Sequence, residues 1–255
     1  MSNITFIFAN TIEKLNFKIN YLISHLFKGY TRFKHLQMKW IITFFRSSLG
    51  RKLIMALTGL FLIIFLMIHL TGNSLLLLND DGKAFTGFVE FMEENPVIKI
   101  TAYILYLGFI IHILQGVVIY FSNRSAKGGT YAVKTTANAS FFSKYMFWFG
   151  VMIFIFLVLH LYNFWLGLKV TGEFGNEELF DKVITAFHNP VYLIIYELGM
   201  IALFMHLRHG FQSAFQTLGW NHKKWTPLIK CLGNLYSILV PLGFFIIPLY
   251  IYFFK

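Results

Sequence analysis

The sequence predicts an all-α integral membrane protein, a bundle of five transmembrane helices with the N-terminus cytoplasmic and the C-terminus outside. Three observations predict it. Only 13% of the 255 residues are charged and 57% are hydrophobic, about half the charge of a soluble domain. Apolar stretches long enough to cross a hydrocarbon core of about 30 Å recur five times. The charges between those stretches are sorted by side. The same composition excludes disorder, which needs low hydrophobicity.

The stretches run Leu53–Leu78, Val97–Phe121, Tyr145–Leu168, Val191–Phe215 and Thr226–Phe254. Helices are the economical reading of each, because every backbone polar group in lipid must be paired within its own segment. The fourth opens with Asn189-Pro190 and the fifth with Thr226-Pro227, a cap residue followed by proline where the first helical N–H has no partner to lose. Pro241 and Pro248 fall inside the last stretch and should bend it. No internal repeat and no soluble domain is evident between the stretches, whose connections are loop-sized.

Net charge is +11, and its position tells a nucleic-acid binder from a membrane protein. Nine Lys/Arg lie before the first stretch, four in 122–144 and four in 208–230; the opposite loops and the C-terminus hold only five. Nine of the eleven acids lie on that second side. The positive-inside rule then sets the orientation given above, and nucleic acid is not expected as a partner. The lone Cys231 excludes an intramolecular disulfide, a CxxC metal site and covalent CxxCH haem attachment.

Residues 1–37 read as an N-terminal extension that is disordered or interfacial, or as sequence upstream of the true start. Their apolar patch (Ile4–Ala9) is too short to span and has no signal-peptide pattern. Met38 begins a compact basic lead into the first stretch, which favours Met38 as the start and 38–255 as the membrane domain.

Ionisable residues inside spans are costly, and they default to functional candidates. Here they are chiefly histidines: His69, His112, His160 and His206, one in each of the first four stretches, each 15 or 16 residues from where its stretch begins. At about 1.5 Å per residue each lies roughly 23 Å into the membrane from its own starting side. Successive helices run in opposite directions. His69 therefore shares a level with His160 near the outer face, and His112 shares one with His206 near the cytoplasmic face, the two tiers some 15 Å apart. A six-coordinate b haem needs two imidazoles facing each other across a bundle interior, one on each side of the iron. Gly116 and Gly210 follow His112 and His206 by four residues, on the same face one turn along, where a missing side chain leaves room for a flat macrocycle.

A single membrane histidine is more often helix–helix glue or a cavity residue; four at matched depth in two level pairs are much harder to obtain by chance. His209, one turn beyond His206, is an alternative ligand or a propionate contact. His25, His35, His188 and His222 read as solvated.

The segments LIMALTGLFLIIFLMIHLTGN, FIIHILQGVVIY, FLVLHLYNFW and HLRHGFQSAFQTLGW, with the loop GKAFTGFVEFMEENP, resemble the five-helix, dihaem cytochrome b membrane anchor of succinate dehydrogenase and fumarate reductase. The resemblance runs from about Met38 to the C-terminus. It implies two b haems, a proximal one on His112 and His206 and a distal one on His69 and His160, with iron as the ligated metal. It further implies a flavoprotein and an iron–sulfur partner subunit on the cytoplasmic face, a quinone substrate (menaquinone in most dihaem members), and a multi-pass place in a bacterial cytoplasmic membrane. Some members carry a glutamate two residues before the fourth ligand; that position is Phe204 here. Glu197, the only intramembrane carboxylate, is then either a proton relay or a protonated side chain bonded to a neighbouring helix. Glu90, read at the outer end of the second stretch, is the nearest match to a quinone-proton acceptor. Rival readings are the cytochrome b of another quinone-linked dehydrogenase or hydrogenase, and a haem-free transporter using histidines as proton sites, against which stands the lack of paired broken helices.

Overall fold

A computed structural model describes residues 18, 21–25, 39, 40, 42–126, 141–220 and 222–255. The expectations for most of residues 1–37, for Met38 and for much of the basic 122–144 loop fall outside them. The chain divides into two units, Met1–Gly50 and Arg51–Lys255. In the first, residues 21–25 and 42–46 are helical, Trp40 stacks on Phe44 and Ser47 Oγ donates to the Phe44 carbonyl at 2.6 Å.

The described part of the chain is helical, without strands. The helices are α1 (Ser48–Ser74), α2 (Lys83–Glu94), α3 (Pro96–Ala126), α4 (Phe141–His160), α5 (Asn176–Phe187), α6 (Pro190–Thr217) and α7 (Thr226–Phe254). Among the described residues five are long and apolar enough to cross a membrane: α1 with its 3-10 extension to Leu77, α3, α4 with its continuation to Thr171, α6 and α7. The chain is thus a multi-pass membrane protein by the length and composition of its helices. The end of the bundle at which α1 begins is its lower end, and the end at which α7 finishes is its upper end.

The boundaries differ from expectation where side chains cap the backbone. The second span opens with Asn95-Pro96: Asn95 Oδ1 accepts from the Val97 N–H at 2.9 Å. Asn189 Oδ1 does the same for Val191 at 2.9 Å, satisfying one of the donors that a helix start leaves unpaired. Thr226 is the first helical residue of α7, and Trp225 holds the cap position expected for it. The helix runs on through Pro241 and Pro248, both buried.

Glycine notches that receive aromatic rings bring the spans together. α6 packs on α4 and α7. A Cβ on Gly199 would stand 2.6 Å from the Phe156 ring, and one on Gly233 would stand 2.6 Å from Phe211. Between lipid-solvated helices, such close approach supplies association that the hydrophobic effect does not. Tyr236 donates from α7 to the Ile63 carbonyl of α1 at 2.6 Å, and Arg51 joins α1 to α3 through Ser122 at 2.9 Å. α6 and α7 carry most of the buried residues, whereas α4 has none.

The upper loops are not simple connections. α2 and α5 lie across the upper end, where Phe85, Leu179, Val183 and Phe187 form one cluster with Leu76, Tyr196, Ile247 and Ile251 of the spans. Polar pairs tie this layer down: Lys169 with Glu93, Asn176 donating to Glu93 at 3.0 Å, and Lys255 donating to the Leu78 carbonyl at 2.6 Å. Gly82 opens α2 with φ +78°, and a side chain there would collide with Phe180; both conditions demand glycine.

Candidate functional site

Each of the four intramembrane histidines meets one other. The rings of His69 (α1) and His160 (α4) have centroids 5.7 Å apart and planes at 85°. Those of His112 (α3) and His206 (α6) are 6.3 Å apart with planes at 65°. The first histidine helix is thus paired with the third, and the second with the fourth. It is His206, not His209, whose ring meets His112; His209 sits half-buried one turn along α6.

In the lower pair, both imidazoles lie against a glycine of the adjacent helix. A Cβ on Gly59 would be 3.4 Å from His112 Cε1 and 3.8 Å from its Nδ1; one on Gly150 would be 3.5 and 3.8 Å from the same atoms of His206. The Nδ1–Cε1 edge of each ring therefore faces the backbone of α1 or α4. Gly116 and Gly210 instead face the methyl tips of Met55 at 3.5 Å and Met146 at 3.4 Å. His112 Nδ1 lies 3.2 Å from Thr58 Oγ1. His206 Nδ1 is buried with no hydrogen-bond partner among the described residues.

In the upper pair, a phenylalanine one turn earlier on the same face stacks on each ring: Phe65 on His69 at 5.2 Å and Phe156 on His160 at 5.7 Å. Tyr196 Oη comes within 3.4 Å of His160 Nδ1 and takes a 3.5 Å contact from Asn163 Nδ2. Asn73 donates to the His69 carbonyl at 2.8 Å. From Leu161 to Thr171 the backbone widens into a π-helix, a geometry that recurs at functional sites. The widened turn holds both Asn163 and Trp165, whose indole donates to Tyr106 at 2.9 Å. Among the described residues, His25, His188 and His222 are exposed.

The separation of the pairs follows from α1 alone. Gly59, beside His112, precedes His69 by ten residues, or about 15 Å of helix; Gly150 and His160 repeat that interval on α4.

This equivalence corrects the expectation that the sequence holds no internal repeat. Met55-x3-Gly59 and Ile64-Phe65-Leu66-x2-His69-Leu70 recur as Met146-x3-Gly150 and Ile155-Phe156-Leu157-x2-His160-Leu161. Asn95-Pro96-Val97, His112 and Gly116 recur at the same spacing as Asn189-Pro190-Val191, His206 and Gly210. α1 and α3 form one half, α4 and α6 the other, and each half supplies one histidine to each pair. Few identities spread over long apolar stretches hide the repeat, which shows once equivalent glycines are seen against equivalent imidazoles. The same signal would have found Gly59, Gly150, Phe65 and Phe156.

The carboxylates stand apart from the pairs. Glu197 is half-buried on α6 and neither oxygen has a hydrogen-bond partner among the described residues, so of its two readings the bond to a neighbouring helix is not made there. Glu90 is exposed on α2, in the upper layer rather than at the end of the second span, because Asn95 starts a separate helix there.

Two nitrogen donors per pair do not by themselves make a metal site, and among the described residues no group of three or more His, Cys, Asp or Glu converges. The donor set suits a metal that brings its own in-plane ligands. With metal–imidazole bonds of about 2 Å, two rings on opposite sides of one ion have centroids roughly 6 to 6.5 Å apart, close to both observed spacings. No protein-family model matches the chain, and no curated protein or solved structure does either.

Proposed function

We propose that the chain is the membrane-anchoring, electron-transferring subunit of a succinate:quinone oxidoreductase, a succinate dehydrogenase or fumarate reductase, binding two b haems and serving a membrane quinone, most naturally menaquinone. The observation that carries the proposal is the pair of two-imidazole sites, with ring spacings of 5.7 and 6.3 Å and, among the described residues, no third His, Cys, Asp or Glu converging on either. His112 and His206 would hold the proximal haem, and His69 and His160 the distal one. Bound there, a b haem supplies reversible one-electron transfer.

The chain's own residues do the rest. Gly59 and Gly150 keep side chains away from the lower pair. Phe65, Phe156 and Phe164 wall the upper pair, and the α2–α5 layer covers the upper end. Two tiers about 15 Å apart along the helices divide the membrane into short electron-transfer distances. Lys and Arg gathered in the lower loops support, by the positive-inside rule, a cytoplasmic lower end at which the flavoprotein and iron–sulfur subunits would dock, in a bacterial cytoplasmic membrane. Glu197, with its unpartnered carboxyl group, and Glu90 are the residues to examine for proton transfer to the quinone.

The test is a reduced-minus-oxidised spectrum with haem quantification on the full chain purified from membranes. Two b haems per chain are expected; none, or one, overturns the proposal. Co-purification of a flavoprotein that oxidises succinate or reduces fumarate tests the identity of the complex.

A further inference from the structure

The two halves of the repeat set His112 and His206 against equivalent glycines, and they differ in the residue that precedes that glycine. Both rings turn the Nδ1–Cε1 edge towards a glycine, Gly59 or Gly150, at matching distances. The residue before that glycine is Thr58 in the first half and Phe149 in the second. Thr58 Oγ1 stands 3.2 Å from His112 Nδ1, and Phe149 offers His206 no polar atom.

The direction of the Thr58 bond follows from its other partners. The hydroxyl donates to the Ile54 carbonyl at 2.8 Å, with the Met55 carbonyl at 3.2 Å. A hydroxyl has one proton to give. With that proton on a carbonyl, the oxygen can only accept from His112, so Nδ1 carries the hydrogen and the free lone pair falls on Nε2. That is the tautomer an axial ligand needs, and a hydrogen bond at the far nitrogen makes the ligating one more basic.

Resting on the haem reading above, we propose that Thr58 is a positioning residue of the lower site: it holds His112 in the ligating tautomer and, by accepting from Nδ1–H, lowers the reduction potential of the haem bound there. A more basic imidazole favours ferric over ferrous iron, and outer hydrogen bonding is one of the levers a protein has on a haem. The upper site, about 15 Å away, lies beyond the reach of this bond.

The experiment is a potentiometric titration of the purified full chain carrying its haems, with the lower-site transition identified as the one lost in His112→Ala. Thr58→Val removes the hydroxyl at nearly constant volume. It should move the lower transition to higher potential and leave the other in place, and Thr58→Ser should restore it. Thr58→Ala, also without the oxygen, serves if the valine variant does not accumulate. Two haems present and neither transition moved in the valine or alanine variant would overturn the role of Thr58, as would Ser and Val shifting equally. A chain that holds no haem before any substitution overturns the haem reading instead.

Discussion

Tyr196 and His160 meet across the α4–α6 contact, phenol oxygen to ring Nδ1 at 3.4 Å, while Ala102 occupies the place equivalent to Tyr196 in the first half of the repeat. The upper pair therefore has its own hydroxyl, on the other half of the chain from Thr58. Tyr196→Phe is expected to shift the potential of the upper-site haem and leave the lower transition where it was. A redox titration of the variant checks this; movement of the lower transition alone would contradict the pairing of Tyr196 with the upper site.

On the proposed haem reading, replacing His112 or His206 by alanine should remove one b haem, because each pair would share one iron and loss of an imidazole would open a coordination position. His209→Ala should retain both, since its ring takes no part in the His112–His206 contact. Haem counts on the three purified variants settle the choice within HLRH.

Gly59 and Gly150 leave the lower imidazoles little slack. A β-branched side chain at either adds methyls beyond a Cβ that would already stand 3.4 or 3.5 Å from Cε1, so the ring has to move. Gly59→Val and Gly150→Val are expected to lose or loosen the lower haem and keep the upper one, with overpacking of about 1–3 kcal/mol. The spectrum and the thermal midpoint of each variant report the two effects separately.

The upper layer should respond to Glu93 only modestly. Its pair with Lys169 is partly exposed, at 37% for the lysine side chain and 25% for the glutamate. Solvent screening limits such a pair to about 1 kcal/mol or less, to which the bond from Asn176 adds. Glu93→Ala should lower the thermal midpoint by a few degrees and leave the haem count unchanged; loss of the upper haem would show that the layer does more than cover the bundle.

A reporter fused after Lys255 should be found outside the cytoplasm. The expectation rests on the positive-inside rule, with five Lys/Arg in the segments read as outer against seventeen in those read as cytoplasmic. A cytoplasmic reporter would invert the assignment of proximal and distal sites.

What the sequence determined by itself was the set of properties that depend on position along a helix. Five apolar stretches were legible because a bilayer admits so few backbone conformations. The pairing of His69 with His160 and of His112 with His206 followed from counting residues, because rise per residue is constant and successive spans alternate in direction. Lateral neighbours were not legible. Lipid is as apolar as the bundle interior, so hydrophobicity does not mark the inward face of a span, and Thr58, Gly59, Gly150 and Tyr196 looked like any other residues of their stretches. Only the tertiary structure brought Thr58 to His112, Phe156 into the notch of Gly199, and Glu93 to Lys169. It also turned two apparent loops into helices α2 and α5, whose amphipathic faces are stable only against the span ends they cover.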